Sequence, residues 1–539
     1  MKLNLDALKD SEVWERAGFK LPKFNIEQVK ADTKTNPDWI HFGAGNIFRA
    51  FMANVQQDIL NEGKSSKGII VVGGESIETI YQAHDNLTVL VTLKVDGSIE
   101  KTVIASIAES LVLDVKNDIS WDRLKEIFIN SSLQMVSFTI TEKGYKLKDG
   151  KGEYLPGVIE DFENGPQNPV SYIGQVASLV YERYLHGRLP IALVSMDNMS
   201  HNGTKLYESV YEYANTWAET GLVDEGFRDY INDSKSVSFP WSMIDKITPR
   251  PDPGVRVMLR DVGFEDVEDV VTSRNSFVSP FVNAEESEYL IIEDIFPNGR
   301  PNLEECGIIF TDRETVDKVE KMKVCTCLNP LHTSLAIFGC LLGYDLISKE
   351  MQDSELRTLV EKIGYAEGFP VVVNPGIIDP KKFIDEVLQV RFPNPFMPDT
   401  PQRIATDTSQ KVGIRFGETI KAYIAREDLN VTDLKLIPLV LAGWCRYLMG
   451  IDDNGDKMEL SSDPLLAEVV PHVAAISIGD KGPFHSRLKP ILSNADIFGV
   501  NLYEAGLGEM VEGYFEELVS EKSAVRKTLK KYVYEVYYE

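Results

Sequence analysis

The sequence predicts an α/β first half followed by a mostly α-helical second half, and three observations carry that reading. The first is a short apolar run, Trp39-Ile40-His41-Phe42, that enters Gly43-Ala44-Gly45 and leaves into a segment whose Phe48, Phe51, Met52, Val55 and Ile59 recur with helical spacing. The second is a set of buried-type strands at Gly68 to Glu75, Met135 to Ile140 and Ile191 to Ser195, separated by helical stretches such as Tyr172 to Tyr184. The third is a change near Leu290, beyond which amphipathic stretches dominate: Thr315 to Leu328, Thr333 to Leu342, Ser354 to Gly364, Lys381 to Val390 and Leu436 to Met449. Residues 1–289 therefore read as one domain and 290–539 as a second. Leu90 to Val95 and Ile99 to Ile107, flanking Asp96-Gly97, read as a hairpin decorating the sheet of the first.

Strand, glycine turn and helix in that order are what a Rossmann-type dinucleotide site requires. Gly43 permits the tight turn and Gly45 lets the backbone approach a pyrophosphate. Asn46, Ile47 and Phe48 open the helix whose N-terminus favours that negative charge. Phe48 stands where the third glycine of the fingerprint is usual, which predicts looser helix-to-strand packing or a variant of the motif. Glu75 ends the second strand where a carboxylate hydrogen-bonds the ribose 2′-OH and repels a 2′-phosphate, so NAD is expected in preference to NADP.

Composition fits a large soluble enzyme. The 539 residues can bury two sizeable cores, and 43% hydrophobic with 26% charged residues is ordinary for a globular chain. A formal charge of −27 opposes both nucleic acid and an anionic membrane surface as partners, and leaves a small molecule as the expected one. Monomer or weak homo-oligomer is the expected state. Five cysteines are no disulfide framework and point to a reducing cytoplasm. The start, Met1-Lys2-Leu3-Asn4-Leu5-Asp6, lacks signal-peptide order, and no run reads as long enough to span a membrane.

The stretch Lys323-Val324-Cys325-Thr326-Cys327-Leu328-Asn329-Pro330-Leu331-His332 gathers an amine, a carboxamide and an imidazole ahead of an apolar helical run. That set suits alcohol/ketone chemistry without a metal. A desolvated amine takes the hydroxyl proton near neutrality while amide donors stabilise the developing alkoxide. Cys325, Cys327 and His332 lack the second ligand pair that a zinc site needs, and the seven histidines are scattered, so no metal is expected.

Several blocks in order along the chain resemble the polyol-specific long-chain dehydrogenases, the mannitol dehydrogenase family: His41 to Ile47, Thr139-Ile140-Thr141-Glu142-Lys143-Gly144-Tyr145, Ser195-Met196-Asp197-Asn198, Ile244-Asp245-Lys246-Ile247-Thr248-Pro249 with Lys246 where Arg is usual, and Ile292 to Pro301. The resemblance covers nearly the whole chain. It implies that Lys323 is the general acid/base, that Asn198 and Asn329 bind the reacting oxygen, that His332 orients it, and that Glu320 assists proton exchange with solvent. It further implies that Asp245, Arg403 and Lys411 meet the substrate. Arg403 and Lys411, eight apart, share a face if they lie on one continuous helix.

One spacing departs from the family pattern. The lysine there stands five residues before the asparagine, whereas Lys323 stands six before Asn329. Pro330 suggests a break, with Asn329 as N-cap, Pro330 at the first helical position and the preceding helix ending near Leu328. Lys321 is the alternative base. The expected reaction moves a hydride between C4 of the nicotinamide and a secondary carbinol. A sugar acid, D-mannonate paired with D-fructuronate, is favoured because Lys411, Arg403 and Lys246 or Arg250 supply cations for a carboxylate. Mannitol or tagaturonate is the alternative, and a catalytically silent dinucleotide sensor is the reading from another class.

Overall fold

The structure, a computed structural model, describes residues 1–271 and 277–535. It divides into two compact units, one comprising Met1–Lys94 with Ser98–Asp317 and the other Val95–Gly97 with Lys318–Glu539. The compositional change seen at Leu290 precedes this division, because the strands Tyr289–Glu293 and Ile309–Thr311 still pair within the first unit.

The first unit is built on six parallel strands: β1 (Trp39–Phe42), β2 (Ile69–Gly73), β3 (Ile107–Val112), β4 (Met135–Phe138), β5 (Ile191–Ser195) and β6 (Val237–Ser238). Their order across the sheet is β3-β2-β1-β4-β5-β6, the doubly wound order 3-2-1-4-5-6. Alternation along the strands divides the core between the two faces. Ile40, Phe42, Ile70, Val72, Val136 and Phe138 belong to one apolar cluster, while Trp39, Ile69, Val71, Met135, Ala192 and Val194 belong to the other. A sheet covered on both faces explains why these strands read as continuous apolar runs. Each fully buried Val, Ile, Phe or Met side chain among them contributes about 1.5–3 kcal/mol relative to exposure.

The hairpin expected around Asp96-Gly97 forms, but it does not decorate the main sheet. Thr88–Leu93 and Ile99–Ile104 pair antiparallel in a separate four-stranded sheet, between Phe19–Lys20 and Phe281–Glu285. The chain re-enters the main sheet only at Ile107, so the predicted second arm, Ile99 to Ile107, is two elements. The long-range parallel partner, Phe281–Glu285 on Thr88–Leu93, is what captures the hairpin.

The second unit is helical. The helix α1 (Ala53–Asn61) belongs to the first unit; α2 (Arg313–Met322) carries the chain into the second, where α3 (Asn329–Leu342), α4 (Glu418–Ala425) and α5 (Leu436–Tyr447) follow. All twelve residues of α5 are buried. The run Arg313–Leu342 is long and apolar enough to cross a membrane, contrary to the sequence reading, yet 72% of its most apolar window is buried inside the fold, as in a core helix. Three of the predicted helical stretches end not in α-turns but in π-turns, at Lys323–Cys327, Ile363–Gly368 and Val387–Arg391.

Candidate active site

The doubly wound order places a switch point between β1 and β4, where ligands bind outside the carboxyl ends of the strands. The register aligns Phe42 with Val72 and Phe138, and Phe138 with Ser195, so Gly43, Gly73, Thr139 and Met196 come to one edge. Gly43 has φ +120°, and a Cβ there would collide with the Thr139 carbonyl, so no other residue fits this turn. Around Gly45 the space a Cβ would occupy is open, a cradle suited to a pyrophosphate. Asn46 is tied down by Arg49, whose Nη2 donates to Asn46 Oδ1 at 2.8 Å; Ile47 packs at the margin of the core.

Phe48 does not loosen the packing. It is fully buried and stacks on His41 with ring centroids 4.5 Å apart, and the helix accommodates it through a π-turn, Phe48–Met52, before α1 begins. His41 is itself enclosed, with Nδ1 and Nε2 2.7 and 2.8 Å from the Ser137 and Thr139 hydroxyls. Burial pushes its pKa down to about 3, so it is a neutral strap between β1 and β4. Glu75 is exposed just beyond β2, where the ribose carboxylate was expected.

Asn198 is exposed beyond the end of β5. Its neighbour Asp197, which sequence reasoning passed over, fixes this edge. Its carboxylate accepts from the Ile140 and Thr141 amides at 2.9 Å and from the Tyr145 hydroxyl at 2.6 Å. Thr141 is held at φ +63°, a strained conformation for a β-branched residue. Burial raises the Asp197 pKa above the ordinary carboxylate value, against the bonds from Tyr145, Ile140 and Thr141 that lower it. Asn202 completes the arrangement, donating to the Ser195 and Asp197 carbonyls at 3.1 Å and to Ser242 Oγ at 2.9 Å. Asp245 ends the strand Ser242–Asp245 and is nearly buried. Lys246 is not left for a substrate carboxylate, because its ammonium donates to Glu288 at 2.8 Å and to the Glu285 carbonyl at 3.0 Å.

In the second unit, Lys323 is 4% exposed and opens the π-turn Lys323–Cys327, closed by the Leu328 amide on the Lys323 carbonyl at 3.1 Å. A π-turn contains one residue more than an α-turn, so the extra residue between Lys323 and Asn329 is absorbed and the five-residue phase is restored. The break lies one residue from where Pro330 suggested: Leu328, not Asn329, is the N-cap, with φ −130°, and Asn329 is the first residue of α3. The Asn329 carboxamide is therefore not consumed as a cap. Glu320 lies one turn before Lys323, partly exposed. Lys321 is exposed and lines a different space, a cavity of about 470 Å³ shared with Cys325, Thr326, Gly413 and Ile414, so it does not share the place of Lys323.

His332 Nε2 lies 3.4 Å from Asp399 Oδ2, and its ring packs 5.0 Å from that of Phe392. Burial lowers its pKa more than Asp399 raises it, so the imidazole is neutral. Burial works to raise the Asp399 pKa, but His332 and Arg403 hold it below its ordinary value. Arg403 is largely exposed and pairs with Asp399, and Lys411 donates to the Thr406 carbonyl at 2.5 Å. These two cations do not share a continuous helix: Pro401–Ile404 is one turn, Asp407 has φ +54°, and Thr408–Gln410 is a 3₁₀ turn. The left-handed residue resets the direction, so eight-residue spacing says nothing about a common face. Among the described residues no group of three His, Cys, Asp or Glu could hold a metal ion, and the five cysteines are free thiols.

Comparison with known proteins follows this division. Residues 37–305 match the mannitol dehydrogenase Rossmann domain, and residues 315–519 match the mannitol dehydrogenase C-terminal domain. The chain is 54% identical over 538 residues, 99% of each chain, to a D-mannonate oxidoreductase of Thermotoga maritima. It is 28% identical over 89% of its length to the oxidoreductase YeiQ of Escherichia coli, with 90% of that chain covered. A mannitol 2-dehydrogenase of Pseudomonas fluorescens, solved with NAD and D-mannitol, superposes with TM-score 0.69 at 26% identity, covering 99% of this chain and 100% of that one. A substrate-free D-sorbitol dehydrogenase shares the fold with TM-score 0.78 at 24% identity, covering 94% and 97%. With both of its units matched in order, the chain belongs to the mannitol dehydrogenase family.

Proposed function

We propose that this protein is an NAD-dependent oxidoreductase of the cytoplasm that interconverts D-mannonate and D-fructuronate, with Lys323 as general acid/base and no catalytic metal. One observation carries the substrate assignment: 54% identity over 99% of both chains to a D-mannonate oxidoreductase. The cofactor assignment is supported by the open space at Gly45, the positive-φ turn at Gly43 and the acid at Glu75, which disfavours a 2′-phosphate. NAD supplies the acceptor for the hydride.

The residues supply the rest. In the oxidative direction Lys323 accepts the proton of the secondary hydroxyl as the C–H bond yields its hydride, and in reduction it returns that proton to the oxygen. The side-chain N–H groups of Asn198 and Asn329 donate to the oxygen as negative charge develops on it. The neutral His332, set by Asp399, orients the same oxygen, and Glu320 relays the proton toward solvent. Asp245, Arg403 and Lys411 contact the substrate, and the protein acts as a monomer or weak homo-oligomer.

The test is steady-state NADH oxidation with D-fructuronate, D-tagaturonate, D-fructose and other ketoses. Highest kcat/KM on D-fructuronate is expected. Preference for D-fructose would make the protein a mannitol dehydrogenase, and NADH binding without turnover on any substrate would make it a sensor.

A further inference from the structure

Arg415 was not singled out by the sequence, and its surroundings set it apart from the other cations of the second unit. It sits on the π-turn Gly413–Gly417, partly exposed. Its Nη1 donates to Thr333 Oγ1 at 2.5 Å, and that hydroxyl donates to the Asn329 carbonyl at 2.9 Å. The guanidinium is thus two hydrogen bonds from the backbone of Asn329 and bonded to the residue after His332.

The neighbouring cations Arg403 and Lys411 each have an acid close by. Arg403 has Asp399, while Lys411 has the Thr406 carbonyl and the fields of Asp407 and Asp463. Among the described residues no carboxylate pairs with Arg415. Burial alone acts on it, lowering its pKa to about 10 with no acid to offset the shift. A guanidinium has five donors in a planar fork that matches a carboxylate, and one hydroxyl leaves most of the fork unused. Leaving a cation desolvated and unpaired is costly unless a ligand supplies the anion.

We propose that Arg415 is the specificity-determining residue that receives the carboxylate of the sugar acid. The assignment rests on the functional reading above and deepens it. D-Fructuronate and D-fructose carry the same ketone; they differ in a carboxylate or a hydroxymethyl group four carbon–carbon bonds away, about 5 Å along an extended chain. Recognition at Arg415 therefore separates the two substrates without touching the reacting carbon.

The experiment compares kcat/KM for D-fructuronate and D-fructose in the wild type, Arg415→Lys and Arg415→Ala, with NADH affinity and thermal unfolding measured on each. Arg415→Ala should lose about tenfold to a hundredfold on D-fructuronate, mostly through KM, and no more than about twofold on D-fructose. Arg415→Lys, which keeps the charge and the fold but not the fork, should fall between. Equal losses on both substrates, or an unchanged ratio in both variants, would show that Arg415 only holds Thr333 and would overturn the proposal. A wild type inactive on D-fructuronate but active on D-tagaturonate would replace the substrate and move the same comparison to D-tagaturonate and D-tagatose. A wild type inactive on every keto-uronate would reject both this assignment and the functional reading.

Discussion

The two units hold their site residues by different means. In the first, the residues stand at the ends of parallel strands, where the register ladder sets their level and a few long-range side chains pin the loops between them: His41 joins β1 to β4, Asp197 joins the β4 and β5 edges, and Asn202 joins β5 to Ser242. In the second there is no ladder, and aim depends on helical phase. Four of the six π-turns among the described residues lie there, including those bearing Lys323 and Arg415. The other two, Phe48–Met52 and Ile77–Tyr81, follow the two dinucleotide strand ends of the first unit. A sheet tolerates change in its loops as long as register holds, whereas a helix must correct a single-residue insertion locally or rotate everything beyond it.

The contrast can be broken most decisively at Lys323. Lys323→Ala should lower kcat by about 10²- to 10⁴-fold while NADH affinity, which belongs to the first unit, stays unchanged. Unchanged turnover would remove proton chemistry from the second unit. Next in size is Asp197→Asn, whose carboxamide has one accepting oxygen where the carboxylate has two. Loss of charge-assisted bonds to the Ile140 and Thr141 amides should cost about 1.5–3 kcal/mol in thermal or denaturant unfolding, with weaker NADH binding. A melting temperature and NADH affinity equal to wild type would show that the strand edge holds without it.

A smaller effect is expected from Glu350. This side chain is wholly buried against Gly339 of α3, with neither carboxyl oxygen hydrogen-bonded. Burial, with Asp353 adding to it, holds its pKa well above the ordinary 4.5. A raised folded-state pKa favours folding below the unfolded value, and that contribution is lost as pH rises through the folded one. Glu350→Gln should therefore melt above wild type at pH 8, with the gap closing as pH falls toward 4.5. A gap independent of pH would mean that Glu350 is not the group being titrated.

The smallest expected change tests the phase argument directly. Deleting Val324 should convert the π-turn to an α-turn and place Lys323 five residues before Asn329 instead of six, leaving kcat/KM within about tenfold of wild type. A loss as deep as that of Lys323→Ala would show that the π-turn itself aims the amine.

Much of the first unit was legible because its demands are local. Gly43 must be glycine where φ is +120° and a backbone carbonyl crowds the Cα, and strands buried on both faces must be apolar throughout. At Phe48 the sequence left looser packing or a variant motif open, and folding decided for the variant by assembling its partner, the His41 ring. The eight-residue spacing of Arg403 and Lys411 misled because a non-glycine residue, Asp407, takes the left-handed conformation in this context.

The chain alone determined the α/β-to-helical order, the dinucleotide turn, the acid at Glu75 and the Lys323 to His332 cluster, since each follows from backbone freedom, hydrophobic period or functional-group chemistry within a short window. Tertiary structure decided which cations remain uncompensated, which sheet the hairpin joins and where a π-turn absorbs a residue. Those outcomes depend on which distant groups folding brings together: Glu288 claims Lys246 and Asp399 claims Arg403, while Arg415 is left with a hydroxyl.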